Sequence, residues 1–260
     1  HIPEVGDLAL TGVGVTFPII TLVSAFAAFA GQGGAPLAAI QLGAGKKDQA
    51  ERILGNSLAL LLMTAAVLTV GFSAFKEPIL RAFGASDATI VYAVDYIRIY
   101  LLGTVFVQLA LGLNTFISAQ GKAMTAMLSV LIGAVINIVL DPVFIFVFGM
   151  GVSGAALATA ISQCISFGIL FFQSLLRKDC VHLKPGKITL SLSLYGEILH
   201  GGIPSLCRQG VASIATAALN LAANPFGDAA IAALSIVSRY MMFIGSAMIG
   251  FGQGFQPVCG

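Results

Sequence analysis

Asp141 and Asn137 stand four residues apart in the run Val135-Ile136-Asn137-Ile138-Val139-Leu140-Asp141-Pro142-Val143-Phe144. That spacing puts both side chains on one face of a helix. A carboxylate and a carboxamide so placed offer oxygen ligands to a small cation such as Na+, or a proton site with a hydrogen-bond partner. Everything else in the run is apolar except Pro142. With its flanks the run reaches the ~20 residues that cross a bilayer. A charge at membrane depth costs at least ~2.5 kcal/mol on insertion scales, so it ordinarily faces a cavity or a partner. Pro142 removes one helical hydrogen bond and crowds the carbonyl of Ile138, which predicts a bent, polar spot in an apolar rod. Burial disfavours the ionised carboxylate and a nearby cation favours it, so the residues leave Na+ and H+ equally open. The competing readings are a structural carboxylate for Asp141 and helix–helix hydrogen bonding for Asn137.

The elements that position this pair are membrane helices. The chain is 58% hydrophobic and 9% charged, with a mean hydropathy of +0.98. Soluble domains carry about 25% charged residues, so the class expected is an all-α, polytopic integral membrane protein. Seven apolar segments are predicted, at about 11–42, 56–75, 90–118, 125–148, 152–176, 198–223 and from 229 to the end. Lys46, Lys47 and Arg52, then Lys122, then Arg177, Lys178, Lys184 and Lys187 fall in alternate loops. The opposite loops hold only Lys76 and Arg81. The basic side is therefore expected to be cytoplasmic. Phe148 lies seven residues past Asp141, which sets the carboxylate about 10 Å inside the outer end of its helix.

An internal repeat organises the whole. Gly6-Asp7-Leu8-Ala9, Gly31-Gln32-Gly33 and Pro36 return as Gly227-Asp228-Ala229-Ala230, Gly252-Gln253-Gly254 and Pro257, at a constant offset of 221 residues. Six spans separate the copies, so both point the same way, as in transporters built from parallel halves. The expected division is a first bundle at 1–176, a cytoplasmic linker at 177–197 with a turn at Lys184–Lys187, and the start of a second bundle at 198–260. Many glycines fit close helix contact in lipid. The net charge of +2 carries no basic-aromatic pattern, so no nucleic acid partner is expected. Cys164, Cys180, Cys207 and Cys259 lie far apart, and neither they nor the three histidines make a metal cluster. No paired carboxylates or nucleophile motif supports an enzyme, and no pore loop supports a channel. Asp95 and Arg98, one turn apart, are expected to form an ion pair. Beginning at His1 and ending inside an apolar segment, the chain is expected to be a piece of a longer protein.

Gly31-Gln32-Gly33-Gly34-Ala35-Pro36 followed by Gln41-Leu42-Gly43-Ala44-Gly45-Lys46-Lys47 resembles the second helix and first cytoplasmic loop of MATE (multidrug and toxic compound extrusion) transporters. Asn137 to Pro142 and Gly252 to Pro257 resemble further motifs of that family, so the resemblance spans the chain. It implies twelve helices in two pseudo-symmetric bundles, a multi-pass protein of the bacterial inner membrane, acting as a monomer when complete. It also implies export of cationic or amphipathic drug-like molecules in exchange for Na+ or H+, surrounded by membrane lipid and without a cofactor. Pro204 is followed by no carboxylate through Ala212, unlike the NorM-like branch and like the DinF-like branch. By that resemblance the coupling residues are Asp141, Asn137, Thr159 and Asn114, with a further acid on a first helix that this segment lacks. Thr159 could equally bond back to its own helix, and Asn114, eight residues before Lys122, lies toward the basic end. Gln32, Gln253 and Gln256 are candidates for the cavity wall or for helix packing. Arg208 either lines the cavity or snorkels. A lipid-linked precursor flippase of the same superfamily is the alternative, resting on Arg208 and Arg239.

Overall fold

The computed structural model describes residues 3–176 and 191–259, the side chains at both chain ends excepted. Seven long helices follow one another: α1 (Pro3–Gly43), α2 (Lys47–Ala82), α3 (Ile90–Ala119), α4 (Ala123–Pro142), α5 (Gly151–Leu176), α6 (Leu192–Ala223) and α7 (Asp228–Cys259). A π-helical turn, Val143–Val147, continues α4, and a short 3-10 turn, Asn224–Phe226, joins α6 to α7. No strand occurs among the described residues. The linker at 177–190, with its expected turn at Lys184–Lys187, lies outside them.

Helix boundaries and the number of spans differ from expectation. Helix α6 begins at Leu192, so 192–197 belongs to the helix rather than to a linker. Helix α2 runs on to Ala82 instead of ending near 75; only Phe75 leaves helical geometry, at φ −115° and ψ 20°, three residues before Pro78. That is where a proline disturbs the preceding turn. Among the described residues six helices are long and apolar enough to cross a membrane, not seven. Helix α6 is long enough at 32 residues, but Arg208, Gln209 and Asn220 dilute its apolar density.

Two loops on the basic side end their helices in the same way. Gly45 and Gly121 take positive φ values of 75° and 78°. The N–H groups of Lys46 and Lys122 then reach back to the carbonyls of Gln41 and Ile117 at 2.9 and 3.2 Å. This is the glycine C-cap that satisfies the last carbonyls of a helix, and it sets Lys46 and Lys122 directly after it.

Helix α1 is the axis of the assembly and touches α2, α3, α6 and α7. One apolar cluster gathers Leu54, Leu61, Leu113, Phe116 and Leu170 toward the basic end. The other gathers Ile19, Val23, Ile97, Leu101 and Ile231 toward the opposite end. The closest helix contact is α1 against α6, made by glycine. A Cβ built on Gly33 would meet the Ile198 carbonyl, and one built on Gly202 would meet the Phe29 carbonyl, each at 2.1 Å. Polar side chains tie α1 to its neighbours: Ser213 Oγ of α6 donates to the Pro18 carbonyl at 2.8 Å, and buried Gln108 of α3 donates to the Val23 carbonyl at 3.3 Å. Helix α4 stands at the edge against α5 and α3, with Leu128, Ile138 and Val139 exposed. The expected Asp95–Arg98 pair does not form; both side chains are exposed and water competes well for them there. Arg81 does pair with Asp87, at 2.7 Å.

Candidate coupling site between α3, α4 and α5

The helical geometry that the four-residue spacing predicts is met. Asn137 Nδ2 donates to Asp141 Oδ1 at 3.3 Å. This leaves the second carboxylate oxygen and the amide oxygen of Asn137 free to face a ligand. The π-helical turn starts at the residue after Pro142, so the proline widens the helix immediately beside the carboxylate. Widened turns of this kind recur at functional sites.

A groove of about 280 Å³ opens below the pair, lined by Asn114 and Leu111 of α3, Asn137 and Ser129 of α4, and Thr159 and Ser166 of α5 among others. Three of the four expected coupling residues thus share one groove, and Asp141 is joined to it through Asn137. Thr159 Oγ1 donates back to the Ala155 carbonyl at 3.0 Å, and the Tyr96 phenol of α3 lies near it. Asn114 belongs to the far end of the groove. Its amide donates to the Ala126 carbonyl at 2.8 Å, fifteen residues before Asp141, or about 22 Å along the helix axis. It therefore does not touch the Asn137–Asp141 pair.

The other candidates lie apart from the groove. Gln32 accepts a short hydrogen bond from Ser205 across the α1–α6 contact, which makes it a bridge between helices. Arg208 is exposed on α6. The side chains of Gln253 and Gln256 lie outside the described residues. Arg239 of α7 stands over the Phe17 ring, 5.2 Å from its centre.

Tyr96 is the residue that sequence reasoning missed. It is 8% exposed, stacks on Tyr100 one turn away, and lies within the electrostatic reach of both Asp141 and Arg239. Its signal was the placing of two tyrosines at a four-residue spacing inside an apolar run, where each phenol needs a partner. A second missed signal is the series Thr125, Ser129, Gly133, Asn137, Asp141, one small or polar residue every four positions of α4. Among the described residues no three His, Cys, Asp or Glu side chains gather. The oxygens of Asp141, Asn137 and Thr159 form a donor set suited to a hard cation or a proton rather than to a soft metal.

Comparison with known proteins bears on the family and the fold. The MatE family model matches residues 2–143. The multidrug export protein MepA of Staphylococcus haemolyticus (strain JCSC1435) is 31% identical over 254 residues, which are 96% of this chain and 55% of that protein. The structure of the MATE multidrug transporter DinF-BH in complex with R6G is similar with a TM-score of 0.93 at 32% identity, over 98% of this chain and 58% of that one. An inward-facing multidrug resistance MATE transporter of the MOP superfamily is similar at a TM-score of 0.86 and 29% identity, over 91% of this chain and 54% of that one. The chain thus spans about half the length of the relatives it matches. Seven helices over 58% of a chain scale to about twelve over the whole, as the family architecture requires. The family match over more than half its length, joined to a bundle of membrane helices, makes this chain a member of the MatE family, a family of transporters and not of enzymes.

Proposed function

We propose that this chain is part of a cation-coupled multidrug exporter. It would move cationic or amphipathic compounds outward across the plasma membrane in exchange for Na+ or H+. The observation that carries the reading is the Asn137–Asp141 pair at the head of a polar groove in an otherwise apolar bundle. The names of the relatives support the substrate class: one is a multidrug export protein, and another is a multidrug transporter in complex with R6G.

In this reading Asp141 takes the ion or proton, Asn137 adds its amide oxygen, and Thr159 its hydroxyl. Asn114 acts at the basic end of the groove. Arg208 faces the substrate cavity, while Gln32 holds α1 to α6. Residues 1–176 form the first bundle, 177–191 the cytoplasmic connection and α6, from Leu192, the start of the second bundle. The complete protein works as a monomer in lipid. Loading of Asp141 changes the stability of one cavity opening relative to the other, which is all that exchange between two access states requires.

The test is transport of an ethidium-type dye by the complete protein in liposomes, under a Na+ gradient and then a pH gradient. Wild type should respond to one gradient, and Asp141→Asn should respond to neither. Retention of ion-driven transport in the variant would sink the mechanism. Absence of dye movement under either gradient, with movement of a lipid-linked saccharide, would favour the flippase.

A further inference from the structure

The groove below Asp141 does not stop at Asn114. Its basic-side floor is Leu170, 1% exposed and packed in the core. Three residues further along α5, Gln173 Nε2 donates to Thr125 Oγ1 on α4 at 3.0 Å. Above the floor the two helices face each other with polar groups. Ser166 Oγ donates to the Ser129 carbonyl at 3.0 Å, and a Cβ on Gly133 would meet Ser166 Oγ. Gln163, lining the same groove, has no hydrogen-bond partner among the described residues. The α4 series Thr125, Ser129, Gly133, Asn137, Asp141 therefore marks one seam, about 24 Å long at 1.5 Å per residue. It runs from the carboxylate to the face that carries Lys122. A volume of about 280 Å³ with this many polar partners is roomy enough for a file of water, since one water takes about 30 Å³.

The geometry points to the α4–α5 seam as the route by which the coupling cation or proton leaves Asp141 for the basic-loop side, with Leu170 as its plug and the Thr125–Gln173 hydrogen bond as its latch. This rests on the coupling role given to Asp141 above. The latch is one neutral side-chain bond between two helix ends, which suits a gate that opens in every cycle. Leu170 excludes water while the latch is closed, because no polar atom of its side chain can hand a cation onward. Parting α4 from α5 at this end opens the seam without disturbing the Asn137–Asp141 pair, about four turns away.

The experiment uses the complete protein in liposomes, with Gln173→Leu and Thr125→Val as variants that remove the latch and keep the volume. Drug-independent collapse of an imposed Na+ or pH gradient should speed up by about ten-fold, the population shift expected from loss of one ordinary hydrogen bond. The double variant should leak no faster than the faster single, since both lose the same bond. A second measurement does not depend on coupling. Ser166→Cys, in protein cleared of its native cysteines, is exposed from the basic-loop side to a charged, membrane-impermeant thiol reagent. Labelling should be slow with the latch intact and about ten-fold faster with Gln173→Leu by the same reasoning. Unchanged labelling, or faster labelling with an unchanged leak, overturns the proposal. If Asp141→Asn keeps ion-driven transport, the coupling role fails on its own, and the labelling result still reports whether the seam opens here.

Discussion

Gly202→Ala is the substitution whose effect the structure sets most directly. The new methyl would lie 2.1 Å from the Phe29 carbonyl oxygen, 2.7 Å from its Cδ2 and 2.9 Å from its carbonyl carbon. Ordinary contact begins near 3.4 Å, and helix backbone cannot turn aside as a side-chain tip can. Helices α1 and α6 must move apart by more than an ångström. A shift of that size stretches the 2.8 Å bond from Ser213 to Pro18 beyond hydrogen-bonding range. Overpacking costs ~1–3 kcal/mol and the lost bond adds about 1 kcal/mol. At ~2–4 °C per kcal/mol, the midpoint of thermal unfolding should fall by roughly 4–16 °C. Gly210→Ala is the matched control on the same helix, because nothing lies within 4 Å of its would-be Cβ. It should gain ~0.5–1 kcal/mol of helix propensity. Both midpoints can be read in detergent by fluorescence of a thiol-reactive dye. Equal midpoints for the two variants would refute the claim that glycine backbone contact holds α1 against α6.

Three further outcomes follow from the geometry. Asn137→Ala removes the 3.3 Å bond to Asp141 and one candidate ligand, so the ion concentration for half-maximal dye transport should rise about ten-fold; an unchanged value at unchanged dye affinity would remove Asn137 from the site. Tyr96→Phe removes the buried phenol near Thr159 while keeping the stack on Tyr100, and the ion dependence of transport should change; an unchanged ion dependence would make Tyr96 a packing residue. Asp87→Asn breaks the exposed pair with Arg81, and the unfolding midpoint should move by less than about 2 °C, because exposed pairs contribute little.

The helices were legible because runs such as 125–148 are too apolar to be anything but membrane segments. Their ends were not, for local reasons. Phe75 precedes Pro78 and looks like a terminus, yet packing carries α2 through one non-helical residue to Ala82. The start of α6 was hidden because Ser193 and Glu197 read as loop residues, while Leu194 in fact packs on the core. The Asn137–Asp141 contact was visible from spacing alone. The place of Asn114 was only half visible: its nearness to Lys122 fixed its depth, but nothing in sequence says that α3 and α4 lean together to share a groove. Tyr96 stayed hidden because its neighbours at the site, Thr159 and Asp141, are on other helices, and single-helix periodicity does not bring residues together across helices.

The π-helical turn after Pro142 has one more effect. Pro142 has no N–H to give the carbonyl of Ile138, and the N–H of Val143 goes to Leu140 instead. The main chain thus presents a bare oxygen about one turn from the carboxylate of Asp141. Hard cations accept peptide carbonyls as readily as side chains. Such a ligand is encoded by the residue four places downstream: no substitution at position 138 removes it, and a change at 142 that restores the N–H cancels it.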